Sequence, residues 1–178
     1  KVELLNDLGA NMEHLTTFTG TSPGTSFLSN HNLFTGKEVN FDTLRDYLDE
    51  AHKKNIKVII YYNVHAIASS YAHLHPEWQQ IQDNGEPIEH VYGIDSSFCI
   101  NSPWRDEVFT TLKKLASYGI DGVFFDGPIF FSNTCYCDHC KRLFKEKYKK
   151  EIISKTQLSS IRTGADWKDL LEFQSDSI

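Results

Sequence analysis

The chain repeats one phrase three times: an amphipathic helix, a Gly or Asn stop, then an apolar strand. Val2 to Leu8 runs to Gly9 and into Met12–Phe18. Phe41 to Lys54 runs to Asn55 and into Lys57–Val64, and Trp104 to Tyr118 runs to Gly119 and into Gly122–Asp126. Gly, and less often Asn, takes the left-handed position after a helix without strain. On the second helix Phe41, Leu44, Leu48 and Ala51 recur at helical spacing, with Asn40 placed to cap the start. The third opens Ser102-Pro103-Trp104, a capping serine and then proline in the first turn. Its inner stripe is Val108, Leu112 and Leu115, with Phe109 and Ala116 at the shoulder. The strands are near-continuous apolar runs, KVIIYYNV the clearest, and such runs predict parallel strands covered on both faces. Val123, Phe124 and Phe125 are accordingly expected to be buried on both faces, and His14 to be a satisfied core group.

Alternating helices and strands predict an α/β fold with right-handed crossovers. The helix-to-strand turns are short, whereas the connections after strands, 19–40 and 65–101, are long and rich in Gly, Ser, Asn and aromatic residues. That asymmetry builds a (β/α)8 TIM barrel, with tight turns at one end and functional loops at the other; a doubly wound sheet shares it. A complete barrel takes roughly 250 residues. This chain of 178 supplies three clear strands, a fourth if Ser97–Asn101 pairs, and the start of a further helix at Asp166–Ile178. The expectation is therefore a single domain over 1–178, a partial barrel cut inside helices at both ends. Its open strand edges would invite pairing with a second copy, a homo-oligomer.

Composition narrows the function classes. Hydrophobic residues make up 40% and aromatics 13%, and the net charge is −6. With no basic stripe there is no case for a nucleic-acid partner; Lys141 to Lys150 reads as a solvated helix face. No apolar run approaches the ~20 residues that span a bilayer, so no membrane partner is expected. The reading is a soluble protein, cytoplasmic or secreted.

The candidate chemistry gathers after the third strand. Asp126 directly follows an apolar run, where an unpaired buried charge costs about 3–5 kcal/mol. The natural place for it is the mouth of a parallel sheet, where α/β folds bind ligands. A carboxylate there can act as nucleophile or transition-state stabiliser in glycosyl transfer, with a loop aspartate bonded to backbone N–H groups as the structural reading. Asn63 and His65 end the second strand and would face the same mouth. Trp78 and Tyr92 lie on the long loops with His31, His73 and His75, and aromatic rings stack on sugar faces. Asp121, at the other end of the strand, reads as a turn residue. Glu77, Asp83, Glu86, Glu89 and Asp95 are loop candidates for a second carboxyl group.

Cys135, Cys137 and Cys140 form a Cys-x-Cys-x-x-Cys run, and Cys99 lies upstream. Three thiols this close do not make a disulfide framework, and they suit a tetrahedral metal. Cys99 is the natural fourth ligand of a structural Zn2+ and His139 its competitor. Buried thiols without metal, or a disulfide from Cys99 to one of the three, are the other readings. Asp138 is placed to cap the helix that follows. A four-cysteine site is closed, so it would pin the loop after Asp126 rather than catalyse.

The order NIKVIIYYNV, HPEW, NSPWRDEV, YGIDGVFFDGP and CYCDHCKRLF resembles glycoside hydrolase barrels over about residues 2–178. It is similar above all to glycosyl-hydrolase-like barrel proteins related to the family 42 β-galactosidases and, more distantly, to the α-L-fucosidase barrels. In family 42 enzymes an upstream cysteine and a Cys-x-Cys-x-x-Cys run bind structural zinc, an arrangement that Cys99, Cys135, Cys137 and Cys140 match. In the fucosidase barrels the aspartate ending a comparable strand is the nucleophile, and Asp126 matches it. Family 42 enzymes carry an Asn-Glu acid/base pair after the fourth strand, where this chain has Asp126-Gly127. The resemblance thus implies fold and zinc ahead of β-galactosidase activity. It implies a glycoside hydrolase acting on a galactoside- or fucoside-like carbohydrate. The rival is a non-catalytic carbohydrate-binding barrel, lacking a second carboxylate within ~10 Å of Asp126. A metal-dependent hydrolase using His65 and Asp126 is a weaker third.

Overall fold

The computed structural model describes residues 1–15, 27–28, 31–32, 42–90, 95–131, 135–154, 157 and 164–178. In chain order the first elements are α1 (Val2–Asp7), β1 (Met12–Leu15), β2 (Phe27–Leu28), β3 (His31–Asn32), α2 (Asp42–Lys53) and β4 (Lys57–Asn63). Then come β5 (Ala66–Ala68), α3 (Ser69–Ala72), a 3-10 turn at Pro76–Trp78, β6 (Asp95–Ser97) and α4 (Trp104–Ser117). The last are β7 (Gly122–Asp126), α5 (Asp138–Tyr148) and α6 (Ala165–Ser177). The chain divides into two compact units, Lys1–Val64 with Asp106–Gly127, and His65–Arg105 with Pro128–Ile178.

The first unit is a mixed α/β layer around a parallel sheet of order β1-β4-β7. Each helix-to-strand turn closes as its sequence requires: Gly9, Asn55 and Gly119 have φ of +71°, +58° and +90°. Paired residues of parallel strands point the same way and side chains alternate along each strand. Val58, Ile60 and Tyr62 therefore face the helices, all fully buried, against Leu44, Leu48 and Ala51 of α2. Val108 and Leu115 give α4 its buried stripe, whereas Phe109 is exposed. Glu13 shares the covered face of β1 and is neutralised there by Lys1 and hydrogen-bonded by the Tyr47 hydroxyl.

Strand β7 departs from expectation on both of its faces. Phe124 is 50% exposed and Phe125 44%, rather than buried on both faces. β7 is an edge strand among the described residues, so only β4 flanks it. His14 is exposed too, not a core group, because it alternates out of phase with buried Glu13 and Leu15. The fourth strand of the sheet is likewise absent from the described residues: Asp95–Ser97 pairs antiparallel with Ala66–Ala68 in a separate two-stranded sheet. Asn40 and Phe41 lie outside the described residues.

The second unit carries two apolar clusters. In one, Trp78, Phe98 and Trp104 pack edge to face or tilted. In the other, the four cysteines pack with Phe144, Leu170 and Phe173. Fully buried Gln80 ties this unit together: its side-chain amide donates to Ser97 Oγ, Phe98 O and Ile129 O and accepts from Phe131 N. Among the described residues no helix is long and apolar enough to cross a membrane.

Candidate functional site

β7 delivers Asp126 to its carboxyl end, in register with Asn63 at the end of β4. Tyr61, two residues before Asn63 on the same face of β4, donates its hydroxyl to Asp126 Oδ2. The backbone closes the corner, with Val64 N donating to Asp126 O at 3.2 Å. Next to this carboxylate the face is aromatic. The Tyr61 and Phe124 rings stack with centroids 6.1 Å apart, and His14 lies 4.9 Å from Phe124. A phenol that donates to one carboxylate oxygen fixes that oxygen's orientation, an arrangement suited to attack or to stabilising a developing cation. The sequence reading missed Tyr61. Alternation alone places it on Asn63's face, and that was the available signal.

Asp121, at the amino end of the same strand, is braced as a turn residue. Its carboxylate accepts from Val58 N at 2.9 Å, Lys57 Nζ at 2.8 Å and His52 Nε2 at 2.8 Å. Burial opposes its charge, but Lys57, the Val58 amide and His52 outweigh that and hold the carboxyl down at about 2.

The remaining sugar-binding candidates belong to the second unit. His65 is buried, its ring 5.7 Å from Phe131. Trp78 is 9% exposed, with His75 stacked on its ring at 3.9 Å, so that face is not open for a sugar. Tyr92 lies outside the described residues, as do the side chains of His31 and Asp95. Glu89 pairs with His73 and Glu77 with His75.

The cysteine prediction converges. The four sulfurs lie within 4.8 Å of one another, and all four residues are buried. None forms a disulfide. His139 is not in the set; among the described residues this is the group that gathers as metal ligands. Cys99 Sγ lies 3.4 Å from Cys140 Sγ and 3.6 Å from Cys137 Sγ. Four sulfurs at ~2.3 Å from a tetrahedral ion stand about 3.8 Å apart, so the spacing fits one metal. Backbone amides turn toward the sulfurs as they do around thiolates. Ile81 N and Cys137 N donate to Cys135 Sγ, and Asn101 N donates to Cys99 Sγ. Hydrogen bonding with Cys135, then Cys140 and Cys99, holds Cys137 far below the usual thiol range; Cys99 and Cys140, each bonded first to Cys135, are pushed up. Cys137, not Asp138, occupies the cap position of α5, because the helix already starts at Asp138.

The model of the family described as hypothetical glycosyl hydrolase 6 matches residues 2–127. In structure, the chain is similar to α-L-fucosidase isoenzyme 2 from Paenibacillus thiaminolyticus, at TM-score 0.59 and 20% identity over 99% of this chain and 26% of that one. It is similar to a polyextremophilic β-galactosidase from the haloarchaeon Halorubrum lacusprofundi, at TM-score 0.63 and 17% identity over 99% of this chain and 30% of that one. A β-galactosidase from Bacillus circulans sp. alkalophilus gives TM-score 0.59 and 19% identity over 99% and 30%. The chain thus spans under a third of the length of these structures, and the likeness speaks to fold. The chain matches no curated protein.

Proposed function

The chain belongs to the hypothetical glycosyl hydrolase 6 family, and we propose that it forms part of the (β/α)8 barrel of a glycoside hydrolase with Asp126 as a catalytic carboxylate. One observation carries this reading. Asp126 stands at the carboxyl end of a parallel strand, beside Asn63, with the Tyr61 phenol holding one oxygen. Carboxyl ends of parallel strands are where barrels act, and glycosyl transfer needs a fixed, ionised carboxylate. The second carboxyl group stands ~5–5.5 Å away for retention or ~6.5–9.5 Å for inversion and comes from a further strand or loop of the barrel. The exposed faces of His14, Tyr61 and Phe124 are the interior of that barrel, covered once its other strands are in place. The substrate is a galactoside- or fucoside-like carbohydrate, with Asn63, His65 and Tyr92 bonding its hydroxyls.

Cys99, Cys135, Cys137 and Cys140 hold a structural zinc. Four thiolates leave no open position for substrate or water, so the ion would serve folding of the second unit rather than chemistry. Elemental analysis of protein purified without a metal-affinity column should give one zinc per chain; no metal at that level removes the zinc.

The test of the activity is a panel of aryl glycosides with product stereochemistry, on protein with a complete barrel and on its Asp126→Asn variant. Turnover of one glycoside that Asp126→Asn abolishes, with the fold intact, supports the assignment, and retained turnover ends it. Sugar binding without turnover on any glycoside would instead make the chain a carbohydrate-binding barrel.

A further inference from the structure

We infer that Asn101 is an outer-shell residue of the cysteine site that couples metal occupancy to the docking of the carboxyl-terminal helix α6. The inference rests on the metal reading of the four cysteines. Asn101 meets the cluster twice. Its backbone N donates to Cys99 Sγ at 3.4 Å and its side-chain Nδ2 donates to Cys140 Sγ at 3.4 Å. The same Nδ2 donates its second hydrogen to Ser177 Oγ at 2.9 Å, in the last turn of α6. Ser177 in turn donates to Phe173 O at 2.7 Å. A single chain of hydrogen bonds thus runs from a metal-ligating sulfur, through one amide nitrogen, to the backbone of α6.

The polarity of that chain is fixed at its start. A metal-bound thiolate has no proton and only accepts, so the atom facing Cys140 must be the amide nitrogen. Ser177 gives its proton to Phe173 and so accepts from the same nitrogen. A bound metal fixes the position of the Cys140 sulfur and so of the amide that donates to it at 3.4 Å; without the ion that anchor is lost. The amide is then less firmly held, and with it the end of α6. Beside this junction an open cleft of about 460 Å³ is bordered by Asn101, Arg105, Lys147 and Ser177. Ion pairs from Lys147 to Glu172 and Asp176 and from Lys150 to Asp166 and Asp169 also reach α6 but are largely exposed and contribute little, while Arg105 Nη2 donates to Ser177 O as a second tie on the last turn. Phe173 and Leu170 pack in the same cluster as the cysteines, so α6 is a wall of the site as well as a reader of it.

The test loads the chain with cobalt(II), follows its thiolate absorption, and measures cobalt release to excess chromophoric chelator alongside amide hydrogen exchange across α6. In the wild type, metal removal should speed exchange in the last two turns of α6. Asn101→Ala should release cobalt about 10–100-fold faster and, while still loaded, exchange α6 amides faster than the wild type does. Cobalt leaving Asn101→Ala at the wild-type rate, or α6 exchange unchanged in loaded Asn101→Ala, overturns the coupling. If Asn101→Ala does not fold, Ser177→Ala decides, because it keeps both bonds to sulfur: faster α6 exchange in the loaded variant supports the link and unchanged exchange overturns it. A wild-type chain that takes up no cobalt sinks the metal reading and the coupling together. One that binds cobalt without any response at Asn101 sinks the coupling alone.

Discussion

The two ends of β7 each carry an aspartate, and their surroundings differ in kind. At the amino end Asp121 is held by a backbone amide, an ammonium and an imidazole. Those donors favour its ionised form and tie α2, the start of β4 and the start of β7 to one carboxylate. At the carboxyl end Asp126 receives the neutral phenol of Tyr61 on a face lined by exposed aromatic rings. The first arrangement cancels the charge that it fixes. The second orients a charge without cancelling it, as chemistry at a carboxylate requires. The strand is thus anchored at one end and, on the glycosidase proposal, equipped at the other, the division that barrels make between their stability and catalytic faces.

Substitution at each end should break the comparison cleanly. Asp126→Asn should lower kcat on the responsive glycoside by more than about 10³-fold while leaving the thermal midpoint near that of the wild type. Asp121→Asn should do the reverse, costing about 2 kcal/mol of unfolding free energy with kcat on the folded protein unchanged. Denaturant titration and initial rates on the same preparations separate the two. A large loss of kcat in Asp121→Asn would erase the distinction.

The same contrast has a pH signature. Folded Asp121 titrates at about 2, below the ordinary 3.8. A depressed carboxyl contributes stability above the unfolded value and loses it as pH falls through the folded one. The contribution is therefore intact above pH ~4 and fades between about 4 and 2. Lys57 is 64% exposed and His52 39%, so screening trims it to about 1–2 kcal/mol. Urea midpoints from pH 5 to 2 should converge for the wild type and Asp121→Asn, and parallel curves would refute the linkage.

The sequence announces what depends on near neighbours. The helix stops at Gly9, Asn55 and Gly119 and the parallel strands follow from local pattern, and the Cys-x-Cys-x-x-Cys spacing brings three sulfurs together before any tertiary contact forms. What was missed depends on partners distant in the chain. The exposure of Phe124 and Phe125 reflects what flanks β7, which no local run encodes. β5 and β6 are three residues each, too short for a periodicity to register, and they pair across residues 69–94, a stretch of loop-like composition. Asn101 looked like the end of a strand; its role as a donor to sulfur exists only once residues 99–101 meet 137–140.

Tyr61 gives the smallest and sharpest distinction between the two aspartates. Its hydroxyl lies on the exposed face of the sheet, so removing it leaves no buried cavity and little packing is lost in Tyr61→Phe. One partly exposed hydrogen bond to a carboxylate contributes about 1 kcal/mol once solvent screening is counted. If the bond only decorates the edge of the sheet, that amount should appear in unfolding free energy and nowhere else. If it holds the reacting oxygen of Asp126 in line, it should appear as a roughly 5-fold fall in both kcat and kcat/KM, because an interaction needed in the transition state lowers the two together. Rates and denaturant midpoints of Tyr61→Phe, set beside those of Asp121→Asn, therefore place the phenol on one side of the comparison. A fall in stability with unchanged kcat would move Asp126 into the same structural class as Asp121.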